Sequence, residues 1–167
     1  MTGFVSTMGA LGFGMLPGTA PGLALAAGSN VGALRMSVLG TQYLERNAEQ
    51  KDRGGWLTAE LATVDLRVGW RMQPGARWEL VPTASLEFGQ FHGSGHSVDT
   101  PKHSRFAWGA AGLGGTAEFR LASSWLLVCE ADALVPFRRT QFRLNGVTIH
   151  QPAQVEGVFR FGIAYEF

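Results

Sequence analysis

The sequence predicts an all-β fold: an eight-stranded antiparallel up-and-down transmembrane β-barrel, residues 1–167 forming a single domain. Three observations lead there. Along most of the chain, large apolar residues alternate with small or charged ones, and side chains of a strand point alternately to its two faces. Charged residues are only 16% of 167 and glycines number 23, yet mean hydropathy is +0.05. No clean apolar run of the roughly 20 residues that a membrane helix needs is present, whereas a barrel needs none because half of each strand faces inward. Finally, the connections alternate between short turns and longer loops, as they do between the two ends of a membrane barrel.

The closing strand, about Val155–Phe167, shows the alternation best. Phe167, Tyr165, Ile163, Phe161 and Phe159 share one face, while Glu166, Ala164, Gly162, Arg160, Val158 and Glu156 share the other. Ending on an exposed greasy strand suits a sheet that closes while facing lipid. Taken from the start, the first strand is expected at about Phe4–Leu16, ending at Pro17-Gly18, and the second at about Gly22–Ser29. The third, Ala33–Glu45, sets Leu34, Met36 and Val38 against Arg35, Ser37 and Leu39. The fourth, Trp56–Arg71, sets Val64, Leu66, Val68 and Trp70 against Asp65, Arg67, Gly69 and Arg71. Gln73-Pro74-Gly75 is a tight turn. The fifth, Arg77–Phe91, turns Trp78, Leu80, Ala84, Leu86 and Phe88 outward, Glu79 and Glu87 inward, and holds Pro82, which deletes a ladder donor and suggests a bulge. In the sixth, Phe106–Leu121, Phe106 and Trp108 fall out of phase with Leu113 and Phe119. Either a bulge shifts the register or those two rings enter the lumen. The seventh is Trp125–Arg138.

On this reading the long connections, around 45–55, 90–105 and 139–154, all lie at the external end. Trp70, Trp78 and Trp125 stand beside short turns and, with Tyr165 and Phe167, form a periplasmic aromatic girdle. No charged residue precedes Arg35. That stretch lacks a basic n-region and is broken by Gly9, Gly12, Gly14 and Pro17, so it reads as barrel sequence rather than a signal peptide. A net charge of +1 gives no field for nucleic acid. Cys129 cannot form an internal disulfide and reads as a small apolar residue.

The inward set contains Arg35, Asp65, Arg67, Glu79, Glu87, Glu118, Arg120, Glu130, Asp132, Arg138, Glu156 and Arg160. Eight strands leave an interior just wide enough for side chains, so these charges are expected to pair across it and close the lumen. A narrow gated pore is the alternative. His92, His96, His103 and His150 fall in expected external loops, with no preset spacing for a metal, and no cofactor is implied.

The alternate aromatics Phe161, Ile163, Tyr165 and Phe167 resemble the C-terminal assembly signal of the small outer-membrane barrels, the OmpA transmembrane domain and OmpX kind. That resemblance implies insertion by the barrel assembly machinery into the outer membrane of a Gram-negative bacterium. It carries over no ligand, receptor or catalytic residue; the expected role is structural or surface-interacting, exerted through the three long loops by a monomer surrounded by outer-membrane lipid and lipopolysaccharide. Small barrels that hydrolyse or transfer lipid A acyl chains are the enzymatic alternative. A hydrolase of that kind needs Ser, His and an acid together on the outer face, and no nucleophile motif such as Gly-x-Ser-x-Gly is present. A soluble lipocalin-like binder is the third class, disfavoured by the terminal aromatic strand and the lack of a long C-terminal helix.

Overall fold

The computed structural model describes residues 1–49, 56–73, 75–96, 103–138, 141–144 and 147–167. Its strands are β1 Thr2–Phe13, β2 Thr19–Val31, β3 Leu34–Glu49, β4 Trp56–Trp70, β5 Trp78–His96, β6 His103–Arg120, β7 Trp125–Pro136, β8 Phe142–Leu144, β9 Val147–His150 and β10 Glu156–Glu166. Eight of them close a barrel in the order β1-β10-β7-β6-β5-β4-β3-β2, while β8 and β9 form a separate hairpin on the way from β7 to β10. All pairs are antiparallel, and closure runs from Phe4 opposite Glu166 to Phe13 opposite Gly157. The all-β, eight-stranded barrel expected from the alternation is therefore the fold.

Three expectations change in detail. The external stretches around 45–55 and 90–105 are in large part sheet: β3 and β4 pair out to Glu49 and Trp56, and β5 and β6 out to Ser94 and His103. Gly93, read as a flexible connector, lies opposite Ala59 on one side and Ser104 on the other. Backbone ladders on both edges outweigh the low strand propensity of glycine. Residues 50–55 and 97–102 lie outside the described residues. Within 139–154 the hairpin β8–β9 replaces a structureless connection.

The second change is at Leu16. β1 stops at Phe13, and residues 14–18 fold inward, with Met15 and Leu16 0% and 1% exposed. Gly14 and Gly18 take φ of 85° and 70°, a left-handed backbone that glycine adopts without a Cβ clash. Third, no bulge marks Pro82. It pairs with Gly115 in an unshifted ladder, and on its other edge pairing with β4 lapses between Gly69–Thr83 and the bridge Met72–Leu80. The missing donor is accommodated by a gap.

The β5–β6 and β6–β7 ladders run without register shifts. Of the two alternatives for Phe106 and Trp108, the rings turn inward, Trp108 to 6% exposure. Together with Met15, Leu16, Tyr43, Leu61 and Phe91, Trp108 forms an apolar cluster at the long-loop end of the interior. Phe91 and Trp108 meet edge to face at 5.2 Å.

Candidate functional site

Below that apolar cap the interior is charged. β3, β4 and β10 each turn one arginine inward, and acids come from β4 through β7 and from β10, because odd positions of β3–β5 and even positions of β6, β7 and β10 face the axis. Arg160, fully buried, donates to Asp132 Oδ2 at 2.5 Å and to Asp65 Oδ2 at 3.3 Å, with Glu130 at 3.6 Å. Arg67 takes the other oxygen of Asp132 at 2.8 Å and Glu130 Oε2 at 2.5 Å. Asp132 thus joins two guanidiniums from opposite sides of the barrel. Gly114, opposite Asp132 on β6, makes the room: a Cβ there would overlap the Asp132 carboxylate.

One layer toward the short-turn end, Arg35 grips Glu118 with two bonds, at 2.5 and 3.0 Å, and donates from Nε to Asn30 Oδ1 at 2.9 Å. Its guanidinium lies 4.4 Å over the Phe4 ring, a cation–π contact in a confined site. At the rim Arg71 holds Glu79, and Arg120 donates to Glu166 Oε2 at 2.8 Å. Toward the external end, Glu87 accepts from Trp108 Nε1 at 2.6 Å. Glu156 is buried at the mouth of β10. Among Arg35, Arg67 and Glu130 lies a cavity of about 10 Å³, room for one water at most.

Of the inward set, Arg35, Asp65, Arg67, Glu79, Glu87, Glu118, Glu130, Asp132, Glu156 and Arg160 are buried in the interior, and Arg120 is partly exposed at its rim. Arg138 is a correction: it follows the end of β7 and is exposed, because the chain leaves the sheet at Pro136. Asn30 and Tyr43 complete the interior without having been singled out for it, Trp108 takes the inward one of its two expected placements, and Arg71 and Glu166, set on the charged faces of their strands, were left out of the inward set. Arg71 shares the period-two phase of Asp65 and Arg67 and was legible by that signal alone.

The outer wall is the complement. Val38, Leu66, Val68, Leu86, Leu113, Val135 and Phe161 are between 46% and 71% exposed. Toward the short turns Trp70, Trp78, Trp125, Tyr165 and Phe167 are all exposed on this wall, Trp78 against Phe119 at 5.0 Å and Trp125 against Tyr165 at 5.2 Å. Phe161 and Ile163 continue the row along β10. Toward the long loops the wall turns polar at Gln42, Gln90, Arg105 and Arg138. His92, expected in a loop, sits on this wall in β5, with Nδ1 2.9 Å from Glu60 Oε1 and Nε2 2.8 Å from Gln90 Oε1. His150 Nε2 donates to the Met15 carbonyl at 3.1 Å, and burial holds its imidazole below the usual histidine range against the opposing pull of that carbonyl. The side chains of His96 and His103 lie outside the described residues. Among the described residues no cluster of His, Cys, Asp or Glu is arranged to hold a metal.

A closed antiparallel barrel with a polar interior and an apolar outside has the architecture of small outer-membrane proteins. The solved structures it resembles are of that kind. A major outer membrane protein from Thermus thermophilus superposes with a TM-score of 0.71 at 17% identity, covering 100% of both chains. Neisserial surface protein A gives 0.63 at 13% identity over 99% of this chain and 96% of that one. Ail, the attachment invasion locus protein of Yersinia pestis, gives 0.59 at 10% identity over 99% and 97%. Those identities establish a shared fold. No protein-family model and no curated protein matches the sequence.

Proposed function

We propose that this chain is an outer-membrane barrel of a Gram-negative envelope, with a structural or surface-interaction role exerted from its external end and a lumen closed to ions. The observation that carries the reading is the outer wall: a continuous apolar belt, bounded by aromatic rings at one end and polar side chains at the other, around an interior lined with charge. A water-soluble barrel has the opposite need on its outside. The residual cavity of about 10 Å³ among the ion pairs supports a plugged lumen. β3 to β6 rise past the rest of the barrel and, with the β8–β9 hairpin, form the surface offered to partners. The same reading makes Phe161, Ile163, Tyr165 and Phe167 the strip read by the barrel assembly machinery, and outer-membrane lipid and lipopolysaccharide the surroundings of a monomer.

A non-enzymatic role is part of this proposal. Glu60, His92 and Ser94 lie near one another on the outer wall, the composition a hydrolase uses. Both nitrogens of His92 already face oxygen atoms, of Glu60 and Gln90, which leaves neither poised as a base toward Ser94.

The test is refolding into detergent micelles and then lipid vesicles. An unboiled sample should migrate as a compact SDS-resistant band that shifts on boiling, and planar bilayers should show no steady large conductance. Solubility without detergent and identical migration with or without boiling would remove the membrane reading. A stable large conductance would remove the closed lumen.

A further inference from the structure

Beneath the apolar cap one buried carboxyl group stands without a cation. Asp65 on β4 and Glu87 on β5 are directly opposite in an unshifted ladder, both on the inner face, and are 1% and 0% exposed. Side chains so placed have Cβ atoms about 4.5–5.5 Å apart, so the two carboxyl groups share one space. Asp65 Oδ2 accepts from Arg160 at 3.3 Å, while Asp65 Oδ1 is buried with no hydrogen-bond partner among the described residues. Glu87 accepts from Trp108 Nε1 at 2.6 Å, and among the described residues no guanidinium pairs with it.

The other strands do not supply the missing charge. β3 brings the Tyr43 hydroxyl within electrostatic reach of both carboxyls, itself buried and unpartnered, and Thr63 on β4 offers a second hydroxyl. β1 and β2 turn only uncharged residues inward. β7 and β10 add the further acids Glu130, Asp132 and Glu156. The guanidiniums of Arg160 and Arg67 spend their closest bonds on Asp132 and Glu130, at 2.5 to 2.8 Å. Two cations thus serve four carboxyl groups in this layer, and Glu87 is the one left over. A buried carboxylate without a cation is costly, and two carboxylates in one site do not both stay ionised. Among the described residues no group of ligands is arranged for a metal, and a proton needs no added room.

We propose that in the closed barrel Glu87 is held as the neutral acid and donates its proton to Asp65 Oδ1, which makes the interior a proton-binding site whose occupancy tightens the plug. Trp108 holds one oxygen of Glu87, the proton bridges to Asp65, and Arg160 meets the single charge that the pair retains. The site depends on the barrel interior and not on what surrounds the wall, so it goes beyond the membrane reading.

The unfolded chain releases a glutamate proton at about pH 4.3. Above that value folding takes up a proton at Glu87, and the folding equilibrium of the parent chain weakens about tenfold per pH unit for as long as the barrel keeps it. Glu87→Gln has the shape of the neutral acid and escapes that loss. The experiment follows urea unfolding of the full chain and of Glu87→Gln from phosphatidylcholine vesicles at about pH 5, 6 and 7, where the remaining titrating groups are common to both. Glu87→Gln should gain on the parent by about tenfold in the folding equilibrium for each pH unit. Infrared spectra over the same range should show the carbonyl stretch of a protonated carboxylic acid in the parent, lost in Glu87→Gln. Asp65→Asn, a weaker acceptor, should move that absorption toward the position of a free acid. Glu87→Leu serves both measurements if Glu87→Gln fails to fold. A ratio independent of pH, or no acid absorption from a chain that shows the heat-shifted band, would overturn the proton site. An absorption unmoved in Asp65→Asn would overturn the sharing with Asp65. Absence of the heat-shifted band in the parent chain would instead mark failure of the membrane reading.

Discussion

Arg160 shows how one residue governs the interior. Its guanidinium reaches Asp132, Asp65 and Glu130 in a space without solvent exposure. Taking such charges out of water costs several kcal/mol per ion, offset only by close pairing and hydrogen bonds. Removing one partner then leaves the others stranded. Arg160→Met is expected to lower stability by about 3–5 kcal/mol, read as a shift in the urea midpoint of the barrel in lipid vesicles. Arg77→Met, on an exposed side chain beside a short turn, should stay within about 0.5 kcal/mol. Equal effects of the two substitutions would show that the interior network carries no net stabilisation. Gly114→Ala should resemble Arg160→Met in direction, because displacing Asp132 loosens both Arg67 and Arg160.

At the scale of elements, the period of two was a strong signal wherever strands are paired on both sides. From sequence alone it placed Asp65, Arg67, Glu79, Glu87, Glu118 and Arg160 on the inner face, and β5 and β10 as continuous strands. It was silent where tertiary contacts decide. Residues 14–18 look like a strand end followed by a turn, and only the empty barrel mouth draws Met15 and Leu16 inward. Arg138 keeps the phase of β7, but Pro136 has already ended the ladder. Gly93 suggests a loop, since propensity cannot report a ladder on each side. The chain after β9 depends on such a contact. His150 donates to the Met15 carbonyl and Ala153 N to the Gly14 carbonyl at 2.9 Å, tying the hairpin to the β1–β2 turn. The folded His150 pKa lies below the unfolded value of about 6.5. As pH falls the unlatched segment therefore takes the proton first. The latch is at full strength above about pH 6.5 and weakens as pH falls toward the folded value. Amide exchange across 147–153, corrected for intrinsic rate, should accelerate between pH 7.5 and pH 5.5, and His150→Gln should remove that difference. An exchange rate insensitive to pH in the parent chain would mean that His150 does not set the latch.

For the molecule as a whole, the decisive quantity is what the outer wall touches, and exposure alone cannot tell water from lipid. Leu66, on β4, and Met72, two residues past its end in the same alternation, are 51% and 46% exposed, Leu66 midway along the apolar belt and Met72 at the rim past Trp70. In water the two sites are nearly equivalent, and an arginine at either is tolerated at the surface of a soluble barrel. In a bilayer they differ by depth. An arginine at the midplane of a transmembrane barrel costs about 2–4 kcal/mol, falling to about 0–1 near the interface. Leu66→Arg is therefore expected to destabilise the vesicle-inserted barrel by about 1–4 kcal/mol more than Met72→Arg. Reversible denaturant unfolding from vesicles supplies both numbers in one assay, with the heat-shifted band confirming that each variant starts folded. Closely matched losses at the two positions would place the wall in a uniform medium and end the transmembrane assignment. A depth-graded loss would fix the belt between the Trp70–Trp78 girdle and the polar row of Gln42, Gln90, Arg105 and Arg138.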